Sequence, residues 1–204
     1  SAFPRTVAVL EAAAPAIRKE VIAMLKALDG QEGSADEADS PGLPGGAPQW
    51  QPQEEGLHSG LWQKLEFWAR GCRILANCAA APCTAAAVED APDAMREAPG
   101  RVALSLMLPG AHVRPHCGPT NHRLRLHLPV LLPGGASSAV GLRVAGQEQP
   151  WIRDKCLVFD DSFEHSVDLQ PISGALPMVS LARVVLLVDL WHPDTEAAGL
   201  LRPA

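Results

Sequence analysis

The second half of the chain contains short apolar or alternating runs separated by Pro and Gly, and this pattern restricts the fold more than any other. The runs are 102–107 (VALSLM), 123–128 (RLRLHL), 139–144 (AVGLRV), 156–159 (CLVF) and 179–190 (VSLARVVLLVDL). Regularly spaced strands with no helical pattern between them favour an antiparallel sandwich or barrel. We therefore expect residues 101–204 to form a jelly-roll type barrel.

The first hundred residues have a helical pattern and predict a flank belonging to the same α+β domain. Between Thr6 and Leu28, apolar residues recur three and four positions apart, as in an amphipathic helix. Pro15 is expected to interrupt this helix or to start a second one. The segment 57–87 is expected to be helical in part, with buried side chains at Trp62, Leu65 and Trp68.

Residues 30–52 are rich in Gly, Pro, Ser and acidic side chains, which predicts an exposed, mobile loop.

Cys78 and Cys83 are close enough in sequence for a small disulfide loop, and two buried free thiols are the alternative. Because the chain contains no pair of CxxC motifs, a structural zinc site is not expected.

Composition argues against two classes of partner, although a basic cleft on an acidic surface stays compatible with it. The formal net charge is -6, whereas a nucleic-acid-binding domain needs clustered Lys and Arg. No apolar run approaches the roughly 20 residues that span a bilayer, so we expect no membrane contact within this chain. The first residue is Ser1 rather than Met, which is compatible with an anchor removed upstream.

The run 123–128 places Arg123, Arg125 and His127 on one face of a strand and three leucines on the other. On a solvated edge the polar face is ordinary surface, whereas at a barrel mouth the same side chains form an anion site. Arg183 adds a constraint, because it lies alone within an apolar strand. A buried guanidinium requires either an Asp or Glu of the protein or a carboxylate ligand.

Two histidines are candidate metal ligands. His116 lies in a turn and His165 follows the strand 156–159, so barrel topology can bring both imidazoles to one ion. Imidazole suits iron, zinc and copper alike. A non-haem iron triad usually adds a carboxylate two residues after the first His, and that position is Gly118, which by spacing argues against iron.

Three segments together resemble the oxygenase domain of the aspartyl/asparaginyl β-hydroxylase family. They are 108–133 (LPGAHVRPHCGPTNHRLRLHLPVLLP), 157–167 (LVFDDSFEHSV) and 183–193 (RVVLLVDLWHP). The resemblance implies a double-stranded β-helix that uses Fe(II), 2-oxoglutarate and O2. The family hydroxylates the β-carbon of Asp or Asn in epidermal-growth-factor-like domains, and its animal members are anchored in the endoplasmic reticulum membrane, facing the lumen. The family also carries Gly where relatives carry the triad carboxylate, which removes the objection raised by Gly118.

Carried over by motif, the resemblance makes His116 and His165 the iron ligands. It implies 2-oxoglutarate contacts at Ser105, Met107, Arg125, His127 and Arg183. His112 and His122 are expected at the surface, and the resemblance assigns no role to Arg123.

With two protein ligands, an iron-bound water must be held by a group that does not itself bind the metal. We expect Asp161, four residues before His165, to accept a hydrogen bond from that water. The alternative is that Asp160 and Asp161 only shape the turn before His165.

Two other functions are compatible with the same motifs. Bacterial relatives of this fold hydroxylate lipid acyl chains, and such a protein would present an apolar groove. A non-catalytic barrel is the third alternative, although the presence of His116, His165 and Arg183 argues against it.

Overall fold

The computed structural model describes residues 3–31, 48–53, 56–134, 137–172 and 176–195. The helices are α1 (Pro4–Gln31), α2 (Leu75–Ala80), α3 (Pro82–Glu89) and α4 (Met178–Leu181), and a 3₁₀ turn covers Pro193–Thr195. The strands are β1 (Gln51–Pro52), β2 (His58–Ser59), β3 (Trp62–Ala69), β4 (Cys72–Arg73), β5 (Arg101–Met107), β6 (His112–His116), β7 (Arg123–Leu131), β8 (Ser137–Val144), β9 (Gln147–Ile152), β10 (Leu157–Phe159), β11 (His165–Asp168) and β12 (Arg183–Trp191).

The strands form two antiparallel sheets, which confirms the predicted jelly roll in an α+β chain. The larger sheet has the order β1-β3-β5-β12-β7-β10 with β4 beside β3, and the smaller has the order β2-β6-β11-β8-β9. Apolar side chains from both sheets meet in one buried cluster, in which Met107 and Val185 of the larger sheet join Val113, Leu142 and Val167 of the smaller. The sheets therefore face each other, and the polar side chains described below lie between them.

Helix α1 covers the other face of the larger sheet. Its fully buried side chains follow the helical repeat, at Leu10, Ala14, Ile17, Val21 and Leu25. The helix continues through Pro15, so the expected interruption is wrong. Pro15 is exposed and cannot donate a backbone hydrogen bond. Packing of the buried face of α1 against the sheet keeps the helix continuous at this position.

The segment 57–87 is helical in part, as expected, within α2 and α3, but its first half contains strand β3 rather than a helix. Leu65 and Phe67 are buried on the outer face of β3, while Trp62 and Lys64 lie on the inner face. Short apolar runs of this length are ambiguous between helix and strand. Pairing of β3 with β5 decides the conformation, and the sheet core therefore begins before residue 101.

Two further expectations change. The predicted strand 179–190 begins only at Arg183, because the preceding residues form the short helix α4. Cys78 and Cys83 are both free, the first buried and the second exposed, so the disulfide alternative is wrong.

Most of the predicted loop 30–52 lies outside the described residues. Among the helices that the structure describes, none is both long enough and apolar enough to cross a bilayer.

Candidate functional site

A cavity of about 640 Å³ opens between the two sheets. It is lined by every residue for which the sequence predicts a metal or cosubstrate contact: Ser105, Met107, His116, Arg125, His127, His165 and Arg183. These residues come from five strands of both sheets. The inward alternation of each strand brings the side chains to one space.

His116 and His165 lie side by side at the cavity wall. They are register partners on β6 and β11, and their ring centroids are 4.2 Å apart. The Nδ1 atoms of His116 and His165 lie 2.9 and 3.0 Å from the carbonyl oxygens of Arg114 and Phe163. Because a carbonyl only accepts, each Nδ1 donates, which leaves both Nε2 lone pairs available for a metal.

Burial lowers the pKa of His165, and the charges of His116 and Arg125 lower it further. The neutral imidazole that results is the form that binds a metal. No group of three or more His, Cys, Asp or Glu that could hold a metal is present among the described residues. The donor set therefore consists of two imidazoles, which fits a centre completed by a bidentate cosubstrate and solvent.

Asp161 occupies the space beside Gly118. A Cβ atom at position 118 would lie 2.5 Å from Asp161 Oδ2, and the Gly118 amide donates to the Asp161 carbonyl at 2.6 Å. A side chain at residue 118 would collide with this carboxylate. The absence of a carboxylate two residues after His116 and the presence of Asp161 are thus two aspects of one packing arrangement.

Asp161 also belongs to a buried network of four charges, the Arg-Asp quartet, formed by Arg123, Arg125, Asp161 and Asp189. Arg123 lies 2.7 Å from Asp161 and 2.8 Å from Asp189. Arg125 lies 3.2 Å from Asp161 and 3.0 Å from Asp189. Burial opposes the charge on Arg123, but the hydrogen bond that Arg123 donates to Asp161 and the charge of Asp189 raise its pKa. Two positive and two negative charges neutralise one another.

The quartet defines what Asp161 contacts. Its side chain is fully buried and accepts hydrogen bonds from Arg123, while Asp160 Oδ1 accepts from the amide of Ser162 as an Asx turn does. The turn-shaping alternative therefore applies to Asp160. The water-holding role of Asp161 stays a prediction.

Arg183 also lines the cavity, and its surroundings match the expectation of an anion ligand. Its side chain is 2 % exposed, donates to Ser105 Oγ at 3.1 Å, and has its guanidinium carbon 4.1 Å from the centroid of the Trp151 ring. Ser105 Oγ also accepts from Trp62 Nε1 at 3.0 Å. No acidic side chain among the described residues neutralises Arg183, and burial lowers its pKa to about 9.

Three buried polar atoms of Arg183 and its neighbours have no hydrogen-bond partner in the described part of the chain: Arg183 Nε, His127 Nδ1 and Trp151 Nε1. Burial lowers the pKa of His127 well below its ordinary value, with Arg183 and Arg125 adding to the effect. Unsatisfied donors beside an unneutralised guanidinium fit a carboxylate ligand.

The sequence interpretation missed several of these groups. Asp189, Trp151, Trp62 and Lys64 received no role, although Asp189 stands out as a lone carboxylate in an apolar strand, as Arg183 does. His122 is exposed and His112 is half-buried, as expected for surface residues.

Comparison with known proteins identifies the family. The family model described as aspartyl/asparaginyl beta-hydroxylase matches residues 11–193. The chain is similar to human aspartyl/asparaginyl beta-hydroxylase, with 37% identity over 144 residues, which cover 70% of this chain and 18% of that protein. It is also 36% identical over 152 residues to human aspartate beta-hydroxylase domain-containing protein 1, covering 73% of this chain and 35% of that protein.

The mouse aspartate beta-hydroxylase domain-containing protein 2 is 35% identical over 141 residues, covering 69% of this chain and 38% of that protein. The chain thus spans less than two fifths of the length of these relatives. Among solved structures, a predicted oxalate decarboxylase from Thermotoga maritima superimposes with a TM-score of 0.41 at 14% identity, covering 71% of this chain and 92% of that chain. The match over nearly the whole chain and the identity to curated relatives agree, and the chain belongs to the aspartyl/asparaginyl β-hydroxylase family.

Proposed function

We propose that this chain is a dioxygenase dependent on Fe(II) and 2-oxoglutarate that hydroxylates the β-carbon of Asp or Asn in polypeptides. One observation carries the proposal. Arg183 is buried with no acidic partner among the described residues, and it lies in the same cavity as two imidazoles whose Nε2 atoms no described residue engages. A carboxylate at the arginine and a metal at the histidines would satisfy both, and 2-oxoglutarate can provide the first while binding the second.

The proposal gives each of these cavity residues a defined task. His116 and His165 would hold the iron through Nε2, with their rings oriented by backbone carbonyls. Arg183 and Ser105 would bind the distal carboxylate of the cosubstrate. When bound, iron, 2-oxoglutarate and O2 supply oxidative decarboxylation to succinate and CO2 together with hydroxylation of an unactivated C–H bond.

The remaining cavity residues would orient the bound cosubstrate and exclude solvent. His127, buried and neutral, presents Nδ1 without a partner and contacts Phe159 edge to face, with ring centroids 5.0 Å apart. Met107 closes the wall beside Arg183, its register partner. Arg125 belongs to the quartet and also lines the cavity, so its position depends on Asp161 and Asp189.

The proposed substrate is a peptide or protein, by family resemblance one containing epidermal-growth-factor-like domains. The lumen of the endoplasmic reticulum is proposed as the compartment on the same ground. The charged lining of the cavity supports a polar substrate over an acyl chain, since five of its side chains are Lys or Arg.

The proposal is tested by anaerobic titration of the chain with Fe(II) and 2-oxoglutarate, following the weak visible charge-transfer band. We expect a band in the parent that is absent in His165→Ala. Arg183→Met should need roughly 100-fold more 2-oxoglutarate, because it removes the charged partner of a buried carboxylate.

Arg143→Met is the matched control, since Arg143 is an exposed arginine bound to Glu148 at 2.8 Å. It should titrate like the parent. Thermal unfolding of each variant establishes that it is folded. A folded, iron-loaded parent that gives no band with 2-oxoglutarate would contradict the proposal and favour the non-catalytic barrel.

A further inference from the structure

Lys64 is a buried cation in the wall of the cavity. It lies on β3 two residues after Trp62, so both side chains are on the inner face of the larger sheet, and its register partner on β5 is Ser105. The side chain is 7 % exposed, and Nζ lies 5.0 Å from the centroid of the Trp62 ring. Lysine is rarely buried to this extent without a partner.

The cavity contains more positive charge than the protein neutralises. Its lining includes five Lys or Arg side chains and, among the described residues, no Asp or Glu: Lys64, Arg101, Arg123, Arg125 and Arg183. Arg123 and Arg125 are neutralised within the Arg-Asp quartet, and Arg101 lies 2.8 Å from Glu66. In the part of the chain that the structure describes, Arg183 and Lys64 are left without an acidic ion-pair partner.

These two cations have different charged neighbours, although both lie next to Ser105. Arg183 is bound to Ser105 and stacked on Trp151. The charges that act on Lys64 are those of Arg101, Arg125, Glu66 and Asp189, and the side chain of Arg101 is 40% exposed. Lys64 therefore interacts with Arg101, the most exposed of the five cations in the cavity lining, and a macromolecular substrate must enter from the exposed side.

We propose that Lys64 determines specificity for an acidic substrate side chain, by placing its ammonium against the substrate carboxylate. The proposal deepens the proposed function and rests on it for the polypeptide nature of the substrate. Arg183 and Ser105 have the donors for the cosubstrate carboxylate, which leaves Lys64 as the remaining cation without an acidic partner among the described residues. A neutral amide in the same place would leave the ammonium unneutralised, and discrimination between Asp and Asn follows.

The state of Lys64 makes this discrimination dependent on pH. Burial, followed by the charges of Arg101 and Arg125, lowers the pKa of Lys64 to about 7, while Glu66 and Asp189 act in the opposite direction. His127 is the further titratable group that interacts with Lys64. A bound carboxylate stabilises the ammonium, so binding of an acidic peptide should tighten as the pH falls from 8 to 6.

The experiment uses the full chain and two peptides of identical sequence that carry either Asp or Asn at one position between neutral residues. Binding is measured by fluorescence anisotropy without metal, and hydroxylation of each peptide is measured with Fe(II) and 2-oxoglutarate. We expect the parent to prefer the Asp peptide about tenfold in binding at pH 6.5. Lys64→Met should abolish the preference, and Lys64→Arg should retain most of it.

Lys19→Met is the matched control, because Lys19 is exposed on α1. Binding of 2-oxoglutarate is measured in parallel to identify which carboxylate the lysine serves. An unchanged Kd for 2-oxoglutarate in Lys64→Met, together with loss of the Asp preference, supports the proposal. A Lys64→Met variant that keeps the Asp preference, or that loses 2-oxoglutarate affinity instead, overturns it.

The failures of the two proposals are distinguishable. A parent that converts 2-oxoglutarate to succinate in the presence of both peptides but shows no preference for Asp overturns the role of Lys64 alone. A lysine-dependent preference in binding without turnover overturns the proposed function alone. A parent that binds neither peptide also overturns the role of Lys64.

Discussion

The cations of the cavity fall into two groups that differ in how their charge is neutralised. Arg123 and Arg125 share two fully buried carboxylates, Asp161 and Asp189, at distances of 2.7 to 3.2 Å. Arg183 and Lys64 are just as inaccessible, yet the described residues offer them no ion pair. The first group is complete within the protein, whereas the second is complete only with a ligand.

The comparison shows how structure and binding are divided among residues of the same type. A closed network of buried charges holds its members in place. Removing one partner leaves another charge buried and uncompensated, so that its desolvation is no longer offset. An unneutralised buried cation lowers stability in the free protein and favours anion binding. Substitutions in the two groups should therefore change stability in opposite directions.

The largest effect is expected for Asp189→Asn. The isosteric amide leaves Arg123 and Arg125 with one carboxylate between them. The free energy of unfolding should therefore decrease by about 3–5 kcal/mol. Chemical denaturation measures this. The matched control is Glu148→Gln, an exposed carboxylate bound to Arg143, which should change stability by less than about 0.5 kcal/mol. Equal effects in the two variants would show that the quartet does not differ from a surface pair.

Gly118→Ala should have an intermediate effect. Its methyl group would lie 2.5 Å from Asp161 Oδ2 and 2.6 Å from Cγ, so the carboxylate must move and strain the quartet. We expect a loss of about 1–3 kcal/mol in denaturation and weaker Fe(II) binding by calorimetry.

Cys72→Ala is the control for Gly118→Ala, because it changes an exposed residue of β4 that does not line the cavity and should leave both quantities near the parent values. If Gly118→Ala kept the stability and the iron affinity of the parent, the packing of Asp161 against residue 118 would have no energetic consequence.

The smallest effect, opposite in sign, is expected for Lys64→Met. Unfolded Lys64 keeps its proton up to about pH 10.5 and the folded protein only up to about pH 7, so folding releases a proton between these values. The penalty is therefore complete below pH 7 and disappears as the pH approaches 10.5. Lys64→Met should stabilise the protein by about 1–2 kcal/mol at pH 6, because the ammonium is partly compensated by Trp62.

Thermal and chemical unfolding at pH 6 and pH 9.5 measure this difference, with Lys19→Met as the exposed control. The stability gain of Lys64→Met should shrink at the higher pH. A gain of equal size at both values would contradict the lowered pKa of Lys64, and a loss of stability would contradict its unneutralised state.

Much of the fold could be predicted because its signals are local. The alternation in residues 123–128 assigns Arg123, Arg125 and His127 to one face of β7, and the structure confirms that this face lines the cavity. The repeat of buried positions in α1 is equally local. Strand β3 escaped prediction because eight residues with mixed apolar and polar side chains do not distinguish helix from strand without a neighbouring strand.

The sequence by itself determined that Arg123, Arg125 and His127 share one face of a strand and that Arg183 needs an anionic partner. Both follow from local properties of the chain, which are its periodicity and the cost of burying a charge. Only the tertiary structure decided which cations the protein neutralises itself. Asp189 lies 64 positions from Arg125 in sequence, and Lys64 reaches the same cavity from a strand more than a hundred residues before Arg183. Pairing between distant strands sets these contacts, and with them which charges are left for a ligand.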